Sequence, residues 1–387
     1  MYVSYNSILE PLVESQVLAY LRELNRVHGF RFRLLSFEPA AMSRRLRQRI
    51  QARLRQSGIE WTYLRYHKRP SLLVTLLDVL VGSAWLVREI GRQRPALVHA
   101  RSHVPALMAL VARRATGVPF LFDCRGMFAD AYVDFGHWNR RSFKYRLTKM
   151  AEPVLFGSAG HTVVLTERFK RMLLPQVRPE RLTVIPCCVD LHRYQPRRVQ
   201  QGDSSFTLCF AGSVANWYLL SQMLDFASVA AGIIPSFRLL MLNRNEQQLI
   251  RRELALRGLS TVSEVVGVSP AEVPSYLRRA HAGIAFLRPS FSMQAASPTK
   301  IGEYLAAGLP VVYNPGVGDL DELLAEVGVA VPRFDCESYA AAARRIRCLA
   351  DHSGIVQACR RRAEQRLSLP AGAARYSEVY ARLVRAS

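Results

Sequence analysis

A lysine and a glutamate lie one turn apart near the start of a short predicted helix, at Lys300 and Glu303. A proline-containing loop, 297–299, leads into this helix, and Gly308 separates it from a buried strand predicted at 309–313. A helix N-terminus presents unpaired backbone N–H groups and the positive end of a dipole, which suits a phosphate. Lys300 adds a full positive charge there, and Glu303 on the same face offers oxygens to sugar hydroxyls. The pair therefore predicts a nucleotide-sugar site.

A glycine-containing loop follows the strand predicted at 206–211, where Gly212 and Ser213 stand. Glycine at such a position permits close approach of the backbone to a phosphate, although a plain tight turn would also use it. Trp217 and Tyr218 come next, and they either stack on a base or cap the following helix.

A second such loop follows the strand at 309–313 and contains Gly316 and Gly318, which we expect to contact the sugar or a phosphate. Asp319 and Asp321 have the Asp-x-Asp spacing found in metal-dependent transferases. They also begin a predicted helix, where acidic residues favour the helix dipole. We interpret them as a helix start, and we expect neither a metal nor a cofactor, only a nucleotide diphosphate sugar as co-substrate.

The segment 297–312 resembles the signature of glycosyltransferase family 4, whose members are retaining enzymes of the GT-B fold. That signature is a helix entered through a Ser/Pro loop, a glutamate that binds the nucleotide ribose, and Ala-x-Gly-x-Pro-Val. Weaker matches follow in order along nearly the whole chain, at 9–18, 36–38, 99–102, 123–126, 163–166, 184–190, 212–218 and 316–319. The resemblance implies two facing Rossmann-like domains with a cleft between them. It also implies a set of donor-binding residues, namely Glu303, Lys300, Ser297, Pro298, Thr299, Gly212, Ser213, Trp217, Tyr218, Gly316 and Gly318.

Three positions depart from the family pattern. Ala295 stands where family members carry a second glutamate, and Gly212 with Ser213 replaces an Arg and Lys pair that holds the diphosphate. Arg125 lies near the position of the usual active-site histidine. Lys300 could replace part of the lost charge. A non-catalytic partner of a polysaccharide assembly system, with the same fold, is the alternative that these departures leave open.

Polar residues also follow three predicted strands of the N-terminal half, where the acceptor is expected. These are Ser15, Gln16, Arg101, Ser102, His103, Arg125, Gly126 and Asp130. Arg125 stays protonated at neutral pH, so we assign it an electrostatic role, either stabilising the departing diphosphate or orienting the acceptor. A single histidine such as His103 is more often structural.

Apolar strands alternate with amphipathic helices throughout, which indicates an α/β fold with doubly wound sheets. Strands are predicted at 2–5, 32–37, 61–66, 97–100, 120–123, 162–165, 183–185, 206–211, 237–242, 262–266, 282–286, 309–313 and 329–331. A proline-bounded stretch at 186–196 and a polar stretch at 199–205 predict a linker. We therefore expect an acceptor domain over 1–190 and a donor domain over 191–370. By resemblance, a C-terminal helix, 371–387, returns to the first domain.

The net charge of +23 is unevenly distributed: residues 1–200 carry 33 Lys and Arg against 14 Asp and Glu, whereas 201–387 carry 20 against 16. Either the composition simply favours arginine on solvated helices, or the first half is attracted to anionic lipid. We find no nucleic-acid-binding motif. The apolar run at 72–87 contains Asp78 and is shorter than the ~20 residues of a membrane span. It predicts a packed helix or, alternatively, an interfacial one.

Seven cysteines occur without metal-binding spacing and mostly in apolar runs, as reduced thiols do. With no signal-peptide pattern at the N-terminus, we expect a cytoplasmic protein, peripheral on the inner face of the membrane. The combined prediction is a retaining, metal-independent glycosyltransferase of surface polysaccharide or glycolipid synthesis, with a lipid-linked saccharide as its acceptor.

Overall fold

A computed structural model describes residues 1–39, 42–67, 72–196, 205–215 and 217–385. The chain forms two compact units. Unit 1 is Met1–Pro186 with Leu369–Ser387, and unit 2 is Cys187–Ser368.

Thirteen strands are found in the described residues, and each corresponds to a predicted one. They are β1 Tyr2–Ser4, β2 Phe32–Glu38, β3 Ile59–Arg65, β4 Val98–Arg101, β5 Phe120–Asp123, β6 His161–Val164, β7 Leu182–Val184, β8 Phe206–Ala211, β9 Phe237–Leu242, β10 Ser263–Val266, β11 Ala282–Ala285, β12 Val311–Tyr313 and β13 Gly328–Ala330.

Helices connect these strands. They are α1 Pro11–Val13, α2 Ala19–His28, α3 Arg44–Gln56, α4 Leu72–Gln93, α5 His103–Thr116, α6 Phe128–Asp134, α7 Phe143–Ser158, α8 Glu167–Leu173, α9 Leu220–Ile233, α10 Gln247–Leu256, α11 Val273–Leu277, α12 Thr299–Ala306, α13 Leu320–Leu323, α14 Cys336–Asp351, α15 Ile355–Leu367 and α16 Leu369–Arg385. A π-helical turn, Glu14–Leu18, joins α1 to α2, and short 3-10 turns lie at Pro179–Arg181, Leu191–Arg193 and Ser292–Ala295. No helix of the described residues is both long enough and apolar enough to cross a bilayer.

The sheet of unit 1 is entirely parallel, in the order β3-β2-β1-β4-β5-β6-β7. The chain moves outward from β1 to β3, returns to β4 and then moves outward on the other side. Because parallel crossovers are right-handed, α2 and α3 lie on one face of the sheet and α4 and α5 on the other. The last helix, α16, packs on α2.

The sheet of unit 2 has the order β10-β9-β8-β11-β12-β13 and is also parallel. Apolar clusters cover both of its faces, as the continuous hydrophobic strands require. In both sheets the strand order reverses beside the first strand, and ligands of such folds bind at the carboxyl ends of the strands at that point.

Two details of the linker and the last helix differ from the prediction. From Cys187 onward the predicted linker is part of unit 2, because Val189 donates its N–H to the Leu367 carbonyl (2.8 Å) and Tyr194 is buried. Of the polar stretch predicted at 199–205, residues 199–204 lie outside the described residues. The last helix begins at Leu369 rather than after Pro370, since proline is tolerated in a first helical turn.

Candidate functional site

Helix α12 is anchored beside the point where the strand order of unit 2 reverses. The Tyr304 hydroxyl accepts a hydrogen bond from the Ala211 N–H (2.9 Å) at the end of β8. The Tyr304 ring lies directly over Gly283 on β11, where an added Cβ would come within 2.5 Å of the ring. Gly308, with φ +75°, ends the helical segment. Tyr304 therefore holds α12 against β8 and β11, one turn after the first turn of the helix.

Lys300 projects from that first turn onto the backbone of Gly212. A Cβ on Gly212 would lie 1.9 Å from Lys300 Cε, so only glycine leaves room for the lysine. Lys300 Nζ lies 5.0 Å from the centre of the Tyr218 ring, and its charge opposes the rise that burial causes in the pKa of Tyr218. Among the described residues, no carboxylate forms an ion pair with Lys300 within 4.0 Å. Its charge therefore lies at the carboxyl edge of the sheet, against the Gly212 backbone and the Tyr218 ring, and it interacts electrostatically with Glu303.

Glu303 lies one turn further along the same helix and is partly buried. Burial raises the pKa of Glu303, while Lys300 and a hydrogen bond with Tyr194 oppose that rise. Burial and the proximity of Glu303 also raise the pKa of Tyr194. Tyr194 comes from the segment that leads into unit 2, far from α12 in sequence, and nothing in the local pattern pointed to it.

The loop after β8 is held by two residues that the sequence did not single out, Asn243 and Glu246. Asn243 Nδ2 donates to the Gly212 carbonyl (2.8 Å) and to Glu246 (2.6 Å), and the Ser213 hydroxyl donates to Glu246 (2.7 Å). Burial would raise the pKa of Glu246, but the hydrogen bonds from Asn243 and Ser213 outweigh it and lower the pKa. The Ser213 proton is therefore directed at a carboxylate, and its oxygen accepts the Ala215 N–H (3.1 Å).

The loop after β12 uses two of its backbone amides internally. Gly316 N–H donates to Asp321 (3.3 Å), and Gly318 N–H donates to the Met293 carbonyl (2.9 Å). These two N–H groups therefore have partners within the protein, and contact of Gly316 and Gly318 with a sugar or a phosphate stays a prediction. Asp319 takes the N-cap position of α13 without a side-chain capping bond. In the part of the chain that the structure describes, no cluster of three or more His, Cys, Asp or Glu could hold a metal ion.

The loop before α12 is held by one hydrogen bond to a side chain and by the fixed backbone angle of a proline. Ser297 Oγ accepts the Cys187 N–H (3.1 Å), Pro298 occupies the N-cap with φ −67°, and Thr299 is the first helical residue.

The aromatic pair after Gly212 does not cap a helix, because α9 begins at Leu220. Trp217 is exposed, and its backbone carbonyl accepts a hydrogen bond from the Arg288 N–H (2.9 Å). Tyr218 forms an isolated antiparallel β-bridge with Leu287. Tyr218 therefore supports Lys300, while Trp217 remains at the surface.

In unit 1, a buried carboxylate organises the corresponding edge of the sheet. Asp123, at the end of β5, lies 3.3 Å from Arg125 and 3.4 Å from both Arg101 and His99. Burial alone would raise the pKa of Asp123, but Arg125, His99 and Arg101 hold it well below its ordinary value. The other nitrogen of His99, Nδ1, is 2.7 Å from the Tyr380 hydroxyl on α16.

Residues of two further loops join this cluster. Arg101 also donates to the Gln16 carbonyl (3.4 Å), and the Ser102 N–H donates to the Asp123 carbonyl (2.8 Å). Ser102 has φ +72° and ψ 178°, a region that is otherwise almost reserved for glycine, so its backbone is strained. The structure thus brings Gln16, Arg101, Ser102 and Arg125 together around Asp123.

His103 and Asp130 belong to a second group. Asp130 accepts hydrogen bonds from Tyr145 (3.0 Å) and Lys149 (3.1 Å). His103 Nε2 is 3.9 Å from Glu152, and burial lowers the pKa of His103 to about 3, so its ring is neutral.

The hydrogen bonds described for Ser15 and Gly126 are local and reach neither the Asp123 cluster nor the group of His103 and Asp130. Ser15 Oγ donates to the Pro11 carbonyl (3.4 Å), and the Gly126 carbonyl accepts the Cys124 thiol (3.4 Å).

Two Rossmann-like units, one of which places a lysine and a glutamate on a helix at the switch point, define the GT-B class of glycosyltransferases. Family comparisons agree. The model of Glycosyltransferase Family 4 matches residues 13–193, and that of Glycosyl transferases group 1 matches residues 205–348. The chain belongs to the family 4 glycosyltransferases and is an enzyme of that class.

Solved structures share the fold at low sequence identity. A glycosyltransferase from Rickettsia africae is 14% identical with a TM-score of 0.73, covering 100% of this chain and 98% of that one. WaaG, a glycosyltransferase involved in lipopolysaccharide biosynthesis, is 13% identical with a TM-score of 0.66, covering 98% of each chain. A G117R mutant of S. aureus TarM, solved with fondaparinux, alpha-GlcNAc-glycerol and UDP, is 11% identical with a TM-score of 0.57 over 77% of this chain and 58% of that one. No curated protein matches the sequence.

Proposed function

We propose that this enzyme is a retaining glycosyltransferase that uses a nucleotide diphosphate sugar and acts in surface-polysaccharide or glycolipid assembly. One observation carries the proposal: Lys300 lies on the Gly212 backbone without a carboxylate partner in the described residues, one helical turn from Glu303. An ammonium group next to helix N–H groups suits a diphosphate, and a carboxylate at that distance suits ribose hydroxyls.

The leaving group carries the charge that develops in the transition state. Lys300 and the N-terminal N–H groups of α12 stabilise the departing diphosphate, because they are already oriented before reaction. A phosphate oxygen then takes the proton of the acceptor hydroxyl as the new glycosidic bond forms on the same face of the sugar. No side-chain nucleophile is assigned.

The loop after β8 makes Lys300 more important in this enzyme than a single lysine would otherwise be. Glu246 stands behind Ser213 and is held ionised by Asn243, so this loop brings a negative charge close to the phosphate edge. Lys300 has to offset that charge as well as bind the diphosphate.

Calorimetry on the Lys300→Ala variant tests the proposal, with UDP as the first probe because the TarM mutant was solved with UDP. Loss of a charge-assisted contact, worth about 1.5–3 kcal/mol, should weaken UDP binding at least tenfold and leave uridine binding unchanged. Arg252→Ala, an exposed cation on α10, is the matched control and should change neither affinity. Equal losses for UDP and uridine would reduce Lys300 to an ordinary surface residue.

Metal independence is a separate part of the proposal. Its support is that Asp321 already accepts the Gly316 N–H and that Asp319 and Asp321 begin α13. Donor hydrolysis should therefore survive EDTA. Loss of turnover in EDTA, with recovery on adding magnesium or manganese, would overturn it.

The acceptor is assigned to unit 1, where Arg101, Arg125 and the strained Ser102 end strands of the sheet. WaaG is involved in lipopolysaccharide biosynthesis, and a lipid-linked saccharide presented at the inner membrane face is the acceptor we propose here. Product formation with lipid-extracted saccharides, compared with soluble ones, tests this assignment; equal turnover of both would exclude a lipid requirement.

A further inference from the structure

Helix α4 turns an entirely apolar side to solvent over its first three turns. Five large side chains are exposed at helical spacing, namely Leu73, Leu76, Leu77, Leu80 and Val81. The rotation of this helix about its own axis is fixed, because the buried Asp78 accepts a hydrogen bond from Tyr5 (2.6 Å) and contacts His67 (2.7 Å). On the inner side, a Cβ on Gly82 would come within 2.6 Å of Met108 on α5. The leucines therefore cannot turn inward.

A second apolar stripe lies on α7, at Phe143, Leu147, Met150 and Val154. These positions are again separated by helical spacing and are exposed. Helix α5 lies between the two, since it packs on both α4 and α7, and it adds the exposed Val111. We call the outer surface of these three helices the α4/α5/α7 face. Monomeric proteins rarely expose contiguous apolar surface of this kind unless it is an interaction site.

The charge around this face has one sign. Between residues 73 and 158, all of which are described, eight basic side chains are exposed: Arg88, Arg92, Arg94, Arg114, Arg140, Arg141, Lys144 and Arg146. The six acidic residues of the same stretch are all buried or partly buried: Asp78, Glu89, Asp123, Asp130, Asp134 and Glu152. An apolar stripe bordered by cations, without exposed anions, matches a bilayer with acidic head groups.

We infer that the α4/α5/α7 face docks on an anionic phospholipid bilayer, with the leucines of α4 and Phe143 and Met150 of α7 entering the interface. This rests on the proposed function only in its lipid-linked acceptor, and it locates the surface that would bring unit 1 to that acceptor. The arginines of α3 are not part of it, because α3 lies on the opposite face of the sheet and exposes a single large hydrophobic residue, Leu46.

Vesicle co-sedimentation tests the apolar part of the surface with the full-length protein. The wild type should bind phosphatidylglycerol vesicles, and binding should weaken between 0.1 M and 1 M salt, where the Debye length falls from about 10 Å to about 3 Å. The double variant Leu80→Asp with Met150→Asp should lower the partition coefficient at least tenfold. Leu256→Asp, on α10, is the matched control because Leu256 is 70% exposed, like Leu80 at 66% and Met150 at 72%. It should bind like the wild type.

A charge-reversal pair separates this face from the arginine-rich helix. Lys144→Glu with Arg146→Glu should abolish binding to phosphatidylglycerol vesicles, whereas Arg44→Glu with Arg45→Glu on α3 should reduce it only slightly. A larger loss of binding in the α3 variant than in the α7 variant would overturn the assignment. It would also be overturned if the wild type did not sediment with phosphatidylglycerol vesicles, or sedimented equally with neutral phosphatidylcholine vesicles. A dimer in sedimentation velocity that Leu80→Asp dissociates would instead assign the face to a second copy of the chain.

UDP calorimetry and donor hydrolysis on the same samples distinguish the two proposals. Intact UDP binding and hydrolysis with no vesicle binding would reject only the docking surface. Vesicle binding without UDP affinity would reject the donor assignment and leave the docking surface standing.

Discussion

The carboxyl edges of the two sheets treat charge in opposite ways. In unit 1, Arg101, Arg125 and His99 surround the Asp123 carboxylate, so each of the two guanidinium groups has a carboxylate within 3.4 Å. In unit 2, Lys300 lies on the Gly212 backbone and near the Tyr218 ring, and Glu303 lies near Tyr194, so among the described residues neither charge has an ion-pair partner within 4.0 Å. We therefore expect the first edge to matter more for stability and the second to matter more for the proposed nucleotide binding. Substitutions at the first should change the free energy of unfolding, and substitutions at the second should change nucleotide affinity.

Asp123→Ala should have the largest effect. It would leave Arg101, itself only 5% exposed, without its carboxylate, and breaking a buried pair in this way costs about 3–5 kcal/mol. Urea unfolding should show that loss, while the fraction that remains folded binds UDP normally. Asp123→Asn keeps an acceptor oxygen, so its free energy of unfolding should lie between those of the wild type and Asp123→Ala. A fully stable Asp123→Ala variant would mean that the cluster does not hold this edge together.

Glu303→Gln should show the reverse pattern. Charge-assisted hydrogen bonds to ribose are worth about 1.5–3 kcal/mol, so donor affinity should fall by tenfold or more. Because burial raises the pKa of Glu303, removal of its charge should leave the unfolding free energy unchanged or slightly higher. Calorimetry with UDP and with 2′,3′-dideoxy-UDP checks the assignment. If both ligands lose equal affinity, Glu303 does not bind the ribose.

Acidification should destabilise the protein through His103. The pKa of His103 in the folded state is about 3, below its ordinary value of 6.5. At a pH between these two pKa values, only the unfolded chain takes up the proton. Stability should fall as the pH drops, by about 2 kcal/mol between pH 7 and pH 5 from this residue alone. His103→Gln should show a smaller loss over that interval than the wild type, whereas the exposed His192→Gln should not. Parallel curves for all three proteins would contradict the prediction.

Gly212→Ala should have the smallest effect and the most selective one. The new Cβ would overlap the end of Lys300 and displace it, which should weaken UDP binding about fivefold, or about 1 kcal/mol, without affecting uridine. Gly258→Ala is the matched control, because Gly258 also has positive φ but has no neighbour within 4 Å of the added atom. Similar losses in both variants would attribute the effect to backbone strain alone.

The sequence predicted the elements at the carboxyl edge of the unit 2 sheet well because their signals are local. A short helix, the glycine that ends it and a strand after it were predicted from turn and burial patterns within 297–313, although β12 begins at Val311 rather than at 309. All thirteen strands of the described residues were likewise predicted, since each is a short apolar run between polar turns.

The residues that contact Glu303 and Ser213 at this edge were not predicted, because they come from distant loops. Tyr194 reaches Glu303 from the start of unit 2, and Glu246 reaches Ser213 from the loop after β9. The spacing within either loop indicates a turn and nothing more. The apolar stripe of α7 was the one signal available and missed: Phe143, Leu147, Met150 and Val154 have helical spacing, but periodicity cannot say which side of a helix faces the core.

The placement of α16 has a consequence for synthesis on the ribosome. Unit 1 is interrupted by the whole of unit 2, and its last helix supplies the Tyr380 hydroxyl to His99 and an edge-on contact from Tyr376 to Tyr20. The nascent unit 1 must therefore wait, with the apolar side of α2 uncovered, until 369–385 have left the ribosome. Unit 2 does not depend on this helix, because all of its segments precede α16 in the chain.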